Sequence, residues 1–268
     1  MIKLIKTTAK NIYTKTKIPS INYVINQYVG CEHNCAYCYA KFMCRWKPKS
    51  HGEWGEWVEA KMNAPELAKK FIKGAVAMSS VSDDYQPIEK ELKLTHKVLK
   101  NMDKRTDLSI LTKSDLVLRD IDLFKKFDNI CVGMTINTFE GKEKELFEPN
   151  SPSNEARLKA LRILKKNGIK THGFISPVIP GLIDLENLIA NSRDYVDYYI
   201  VELLNLNAGG YEFKKLLRDN YPESYEIMTN KELFEKFREE VKEILINSGI
   251  KVPQLVTHFP KFECVNLN

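Results

Sequence analysis

Residues 30–40 read GCEHNCAYCYA, and three of the protein's six cysteines, Cys31, Cys35 and Cys38, fall inside this stretch in the spacing C-x3-C-x2-C. Thiols crowded on one short loop suit metal or redox chemistry, whereas disulfide frameworks belong to small proteins of oxidising compartments. Three thiolates on a tight loop can hold three corners of a cubane iron-sulfur cluster, because soft thiolate matches iron, and the fourth iron is then open. Zinc is the competing reading. A closed zinc site takes four Cys/His ligands, with Cys44, His33 or His51 as sources of the fourth. The loop alone leaves both readings open.

Outward from the loop, the chain repeats a strand-then-helix rhythm. Apolar or β-branched runs occur at 21–26 (INYVIN), 74–78 (GAVAM), 108–112 (LSILT), 130–136 (ICVGMTI), 169–175 (IKTHGFI) and 197–204 (DYYIVELL). Amphipathic helical stretches separate them, starting at Asn63, Pro87, Ser114 and Ser153, the last ending at Gly168. Strands alternating with helices of this length predict βαβ units and a parallel sheet. Six units predict an α/β fold of the incomplete (β/α)6, TIM-like kind. The expected division is a basic N-terminal arm over 1–20, a core over 21–205 and a C-terminal extension over 206–268 packed on the core. Within that extension, 230–256 reads as an amphipathic helix with Gly249 as its stop, covering the open edge of the barrel.

In such a barrel the chemistry sits at the carboxyl ends of the strands. The residues there are polar: the Cys loop, Ser79 to Pro87, Thr112-Lys113-Ser114, Thr135 to Thr138, Ser176 to Gly181, and Glu202 with Asn205. All are expected at one mouth.

At this point the sequence resembles a known family. A C-x3-C-x2-C loop after the first strand of a six-unit βα chain resembles the radical S-adenosylmethionine (SAM) superfamily. More narrowly, GCEHNCAYCYA, NAPELAKK, SSVSDDYQPIE, LTKSDLVLRDIDLF, EPNSPSNEARLKAL and SPVIPGLID resemble its spore photoproduct lyase-like branch, in order across residues 22–190. The resemblance implies that Cys31, Cys35 and Cys38 ligate a 4Fe-4S cluster whose open iron chelates SAM. Reductive cleavage would give methionine and a 5'-deoxyadenosyl radical that abstracts hydrogen from a substrate. It also implies SAM contacts: Tyr37 near the adenine, Ser79 and Ser80 at the amino group, Lys113 and Thr135 at carboxylate and ribose, Asn137 at the ribose, and Ile179 with Pro180 as an adenine shelf. A ferredoxin or flavodoxin would donate the electron.

One position departs from the branch. Spore photoproduct lyase has a hydrogen-donating Cys just after the second strand, and the matching residue is Val81. Valine cannot donate that hydrogen. Tyr37 and Tyr39 do match the tyrosines that flank the last cluster Cys, so a tyrosine relay is retained as an expectation while lesion repair is not transferred.

Composition bounds the rest. With 43% hydrophobic and 28% charged residues over 268 positions, the chain can build a core without disulfide staples, and disorder is excluded. No apolar run approaches the roughly 20 residues of a membrane span, and the start shows no signal-peptide core. A cytoplasmic protein without a membrane partner is therefore expected. The net charge is +6. Residues 1–62 carry ten Lys/Arg against four Asp/Glu, so this first quarter holds the whole excess. A basic arm suits an anionic partner such as nucleic acid. The leading expectation is a radical SAM enzyme acting on an unidentified substrate, with nucleic acid or a nucleotide favoured. A strict photoproduct lyase, a zinc-bearing nucleic-acid-binding module and a SAM-binding scaffold without catalysis are the alternatives. His51 to Trp57 (HGEWGEW) reads as a hairpin or lid whose Trp residues shape a pocket or stack on a base.

Overall fold

The structure, a computed structural model, describes residues 2–267. Its strands in chain order are β1 (Lys3–Thr7), β2 (Tyr13–Lys15), β3 (Tyr23–Ile25), β4 (Tyr28–Val29), β5 (Trp57–Lys61), β6 (Ala75–Met78), β7 (Asp107–Thr112), β8 (Ile130–Ile136), β9 (Lys170–Val178), β10 (Tyr198–Leu203), β11 (Gln254–Thr257) and β12 (Glu263–Val265). The large sheet has the order β12-β11-β10-β9-β8-β7-β6-β3-β2. From β3 through β11 every neighbouring pair is parallel, and each strand lies beside its predecessor in the sheet. β2 and β12 pair antiparallel at the two edges and do not meet. The sheet is therefore an open, TIM-like partial barrel, as the rhythm of the sequence predicts.

Two features of the termini were not visible in that rhythm. Residues 3–15 supply strands to both sheets: β2 forms an edge hairpin with β3, and β1 runs parallel to β5 in a three-stranded sheet of order β1-β5-β4. At the far edge, β11 adds a seventh parallel strand and β12 folds back on it. This corrects the expectation that the C-terminal helix covers the barrel's edge. Helix Lys231–Asn247 packs instead in the outer layer against helices Pro222–Thr229 and Leu185–Ser192, while β11 and β12 extend the sheet beyond β10. Strand addition satisfies the edge's N–H and C=O groups, which a helix face cannot do.

Local sequence explains the elements that hold the barrel. All seven residues of β8 are buried, as expected of a strand covered on both faces. Helix Asn154–Lys166 starts where Ser153 Oγ accepts from Ala156 N at 3.2 Å, and it buries Arg157, Ala160, Leu161 and Leu164, an i, i+3, i+4, i+7 stripe. The stretch after Pro87 is not one helix: it breaks into Glu89–Leu92 and Leu94–Asn101 at Lys93, whose φ is 50°. The helix expected from Asn63 is a single turn, Ala64–Leu67. Among the described residues no helix is long and apolar enough to cross a membrane.

Candidate functional site

The cysteine loop leaves β4 through Gly30, whose φ of 91° and close approach to β5 both require glycine: a Cβ there would stand 2.5 Å from the Trp57 carbonyl oxygen. Several elements then pin the loop. Gln86, fully buried, donates through Nε2 to the Gly30 carbonyl at 3.1 Å and accepts from Glu32 N at 2.9 Å. Glu32 Oε1 accepts from Ile88 N at 2.6 Å, Asn150 Nδ2 donates to Glu32 O at 3.0 Å, and Ala36 N donates to Phe147 O at 2.9 Å. Loops following β6 and β8 thus set the curvature of a loop that follows β4.

All three thiols are free, with Cys31 and Cys35 buried and Cys38 half-buried. Burial pushes each thiol's pKa up, that of Cys35 to about 12. Their negative forms also repel one another: Cys31 feels both Cys35 and Cys38. Three thiols crowded on one loop and largely shielded from water form a donor set that fits an iron-sulfur cluster, whose iron would offset the cost of burying them as thiolates. In a cubane each thiolate binds its own iron, so the sulfurs need not converge on one point. Among the described residues, no group of three His, Cys, Asp or Glu side chains is placed to hold a single metal ion. His33 and His51, the candidate fourth zinc ligands, face carboxylates: His33 Nδ1 lies 3.4 Å from Asp83 and His51 Nε2 2.9 Å from Glu59. Cys44 lies in a small apolar cluster with Val29, Cys31, Trp54, Trp57 and Val81.

Ser80 and Val81 touch the two ends of the loop. Asn26 Oδ1, just past β3, accepts from Ser80 N at 2.8 Å and Val81 N at 3.2 Å, and Tyr39 Oη donates to the Ser80 carbonyl. Ser79 Oγ is bonded to Ser82. The residue after the last cysteine is thereby tied to the loop after β6. Val81 O accepts from Gly30 N at 3.2 Å, and the Val81 side chain packs in the apolar cluster that contains Cys31.

Asp83 joins three loops. It accepts from Tyr85 N (2.9 Å), Thr112 Oγ1 (2.6 Å) and Lys113 N (2.8 Å), and burial, which opposes its charge, is outweighed by His33 and these donors, so its pKa falls well below the carboxylate range. It therefore serves the loop after β7 and does not cap the helix near Pro87. The Lys113 side chain extends over the Tyr37 ring at 5.7 Å. Burial disfavours its ammonium, yet Cys35 and Glu148 hold its pKa above the ordinary lysine value.

Glu148 and Arg157 are the principal residues that the sequence reading left without a role. Both are fully buried and paired through Arg157 Nη2 and Glu148 Oε2. Glu148 also accepts from Tyr37 Oη, from Asn137 Nδ2 at 3.0 Å and from Ser151 Oγ at 3.0 Å; Arg157 also donates to the Thr135 carbonyl at 3.2 Å. Although burial raises it, Arg157 and Lys113 bring the Glu148 pKa down to about 2. Tyr37, Lys113, Thr135 and Asn137 therefore meet around one ion pair. Asn137 is almost fully buried, and its Oδ1 is taken by Phe139 N. The available signal was EPNSPSNEAR itself, which carries both charges nine residues apart.

Ile179 and Pro180 are buried beneath the C-terminal helices, with the Pro180 carbonyl accepting from Ser224 Oγ at 2.7 Å. Across the mouth, Glu202 accepts from Ser176 Oγ at 2.7 Å and pairs with His258 Nε2 at 2.8 Å. The expected stacking role of HGEWGEW is corrected. Trp54 and Trp57 are buried edge-to-face, 6.1 Å apart, so neither ring is available to a base. Cys131 lies lower in the barrel, 3.3 Å from His172 Nδ1 and 3.4 Å from Tyr198 Oη.

An open parallel barrel with three clustered thiols on the loop preceding its second parallel strand is the architecture of radical SAM enzymes. The chain belongs to this superfamily, whose model matches residues 25–189. A protein of Methanocaldococcus jannaschii is 54% identical over 96% of this chain and 98% of its own length. A protein of Mycobacterium tuberculosis is 26% identical over 77% of this chain and 62% of its own. Among solved structures, spore photoproduct lyase complexed with dinucleoside spore photoproduct superposes with a TM-score of 0.60 at 20% identity, and a variant with bound AdoMet and the same dinucleoside with 0.61 at 18%. Both superpositions cover 82% of this chain, which spans 66% of those lyase chains. That likeness is one of fold. Membership of the superfamily implies a 4Fe-4S cluster and SAM as cofactors and makes the protein an enzyme.

Proposed function

We propose that this enzyme directs radical chemistry from SAM onto a nucleic acid or nucleotide and is not a strict photoproduct lyase. With its cofactors bound, the site supplies a primary carbon radical capable of taking hydrogen from an unactivated C–H bond. The chain's own residues do the rest. Cys31, Cys35 and Cys38 hold the cluster, and Gln86 and Glu32 fix their loop. Ser79 and Ser80 are assigned to the ammonium and Lys113 to the carboxylate, while Asn137, whose side-chain atoms are held by Glu148 and Phe139, supports the ribose end with Thr135 from behind. Tyr37 is assigned to the adenine, with the buried Ile179 and Pro180 backing that wall and not forming its surface. Tyr39, whose Oη donates to the Ser80 carbonyl, is assigned the proton or electron relay.

The observation that carries the reading is Val81. It stands in the apolar cluster beside Cys31, where lyase chemistry calls for a thiol, so the hydrogen returned to product must come from elsewhere or not be returned. Support for a nucleic-acid substrate comes from the basic first quarter of the chain and from the dinucleoside bound by the structurally similar lyase. A ferredoxin or flavodoxin is the proposed reductant.

The test is anaerobic reconstitution with iron and sulfide, then dithionite and SAM, with 5'-deoxyadenosine measured by chromatography with and without RNA or DNA. Cleavage that is lost in the Cys31→Ala, Cys35→Ala, Cys38→Ala triple variant and raised by nucleic acid is expected. Cleavage indifferent to every nucleic acid but raised by a peptide pool would overturn the substrate assignment.

A further inference from the structure

Immediately after Cys38 the chain forms a 3-10 helix, Tyr39–Trp46. Three residues make one turn of such a helix, so positions i, i+3 and i+6 stand in line. Here the line is Tyr39, Phe42 and Arg45, all three exposed, with the rings of Tyr39 and Phe42 stacked 6.3 Å apart at 26°. Trp46 follows with 77% of its surface exposed, more than any other large apolar side chain among the described residues. A single exposed ring is ordinary, but here Tyr39, Phe42 and Trp46 are all exposed within one short helix, whereas the neighbouring Trp54 and Trp57 are buried.

The charges around these rings have one sign. From residue 33 to residue 52 the chain contains Lys41, Arg45, Lys47 and Lys49 and no Asp or Glu. Lys47 is taken by Glu59 at 2.6 Å and Lys41 by the Ala36 carbonyl at 2.8 Å. Arg45 and Lys49 are exposed, and no ion pair or side-chain hydrogen bond engages either of them among the described residues. Free cations interleaved with exposed, nearly parallel rings meet both needs of an unpaired nucleic-acid strand: cations for the phosphates and π-faces for the bases. The row begins at Tyr39, which is bonded to Ser80, so it leads to the mouth of the barrel.

We propose that Phe42, Arg45, Trp46 and Lys49 form a docking strip for single-stranded nucleic acid that feeds a nucleotide into the barrel mouth. This inference rests on the nucleic-acid reading above and specifies how that substrate is held. The strip accepts a single strand without sequence preference, because stacking reads no base edge.

The reconstituted enzyme is titrated into fluorescein-labelled oligo(dT) and oligo(U) 12-mers, and anisotropy is followed from low to moderate salt. Trp46→Ala and Phe42→Ala are expected to weaken binding by roughly tenfold each. The Arg45→Ala/Lys49→Ala double variant is expected to lower the slope of log Kd against log salt by about 1.4, since each single-strand phosphate contact contributes about 0.7. Iron content and SAM cleavage without nucleic acid should match wild type in all three, which separates loss of docking from loss of fold. If wild type binds neither oligomer, the nucleic-acid reading fails and the strip with it. If wild type binds and the variants bind equally well, the strip alone is overturned. Unchanged oligomer binding with slower reduction by flavodoxin would likewise overturn it, by assigning the strip to the electron donor.

Discussion

Gln86 bridges the backbone on either side of Cys31, donating to the carbonyl of Gly30 and accepting from the amide of Glu32 across 56 and 54 residues of sequence. A buried carboxamide that satisfies one acceptor and one donor of a ligand loop fixes the loop before any cluster arrives. Gln86→Ala leaves both backbone groups unpaired, at a cost of roughly 1–3 kcal/mol. A lower urea midpoint and fewer irons per chain after reconstitution are expected; wild-type values for both would show that the loop holds its shape unaided.

The Glu148–Arg157 pair should behave as a unit. Removing one partner strands a buried charge, so Glu148→Leu and Arg157→Leu are each expected to destabilise by about 3–5 kcal/mol, while the double variant loses much less than their sum. A double-mutant cycle by chemical denaturation measures this. Additive losses would mean that the two charges are stabilised separately by Ser151, Asn137 and the backbone.

His172 gives a pH signature. Burial, with Lys170 adding to it, lowers its pKa from 6.5 to about 4. The folded protein therefore keeps the ring neutral where the unfolded chain protonates it. Stability is intact above pH 6.5, falls as pH drops from about 6.5 to about 4, and levels off for this group below that, a loss of about 3 kcal/mol at most. Denaturation across this window should show a shallower decline for His172→Gln than for wild type. Parallel declines would place the titration in other groups.

Gly133 and His172 are sterically coupled across β8 and β9. A Cβ on Gly133 would stand 2.1 Å from His172 Nε2, and the two residues are register partners. Gly133→Ala is expected to destabilise by about 1–3 kcal/mol through overpacking. In a His172→Ala background the same change should be nearly neutral, measured by thermal or urea unfolding. A full penalty in that background would locate the conflict in the backbone.

Much of the barrel was readable from local pattern. The six apolar runs coincide with β3 and β6–β10, and Ser153 and Gly168 bound their helix as side-chain and backbone chemistry require. The cysteine triplet marked a metal or redox loop because ligand spacing is itself local, but the choice between a cluster and zinc needed the βα context around it. What could not be read was whatever depends on partners distant in sequence. The break at Lys93 and the single turn after Asn63 lie inside stretches whose periodicity suits a longer helix.

The sequence by itself determined a parallel βα chain with a thiol loop at its mouth, since periodicities of two and 3.6 and the C-x3-C-x2-C spacing are properties of neighbouring residues. Only the tertiary structure decided that β11 and β12 extend the sheet past β10, that Trp46 is exposed while Trp54 and Trp57 are buried, and that Glu148, Arg157 and Gln86 are drawn inside. The physical reason is common to all three. Burial of a charge, an amide or a ring is set by which distant groups are brought within hydrogen-bonding or packing distance, and that proximity exists only once the chain has folded.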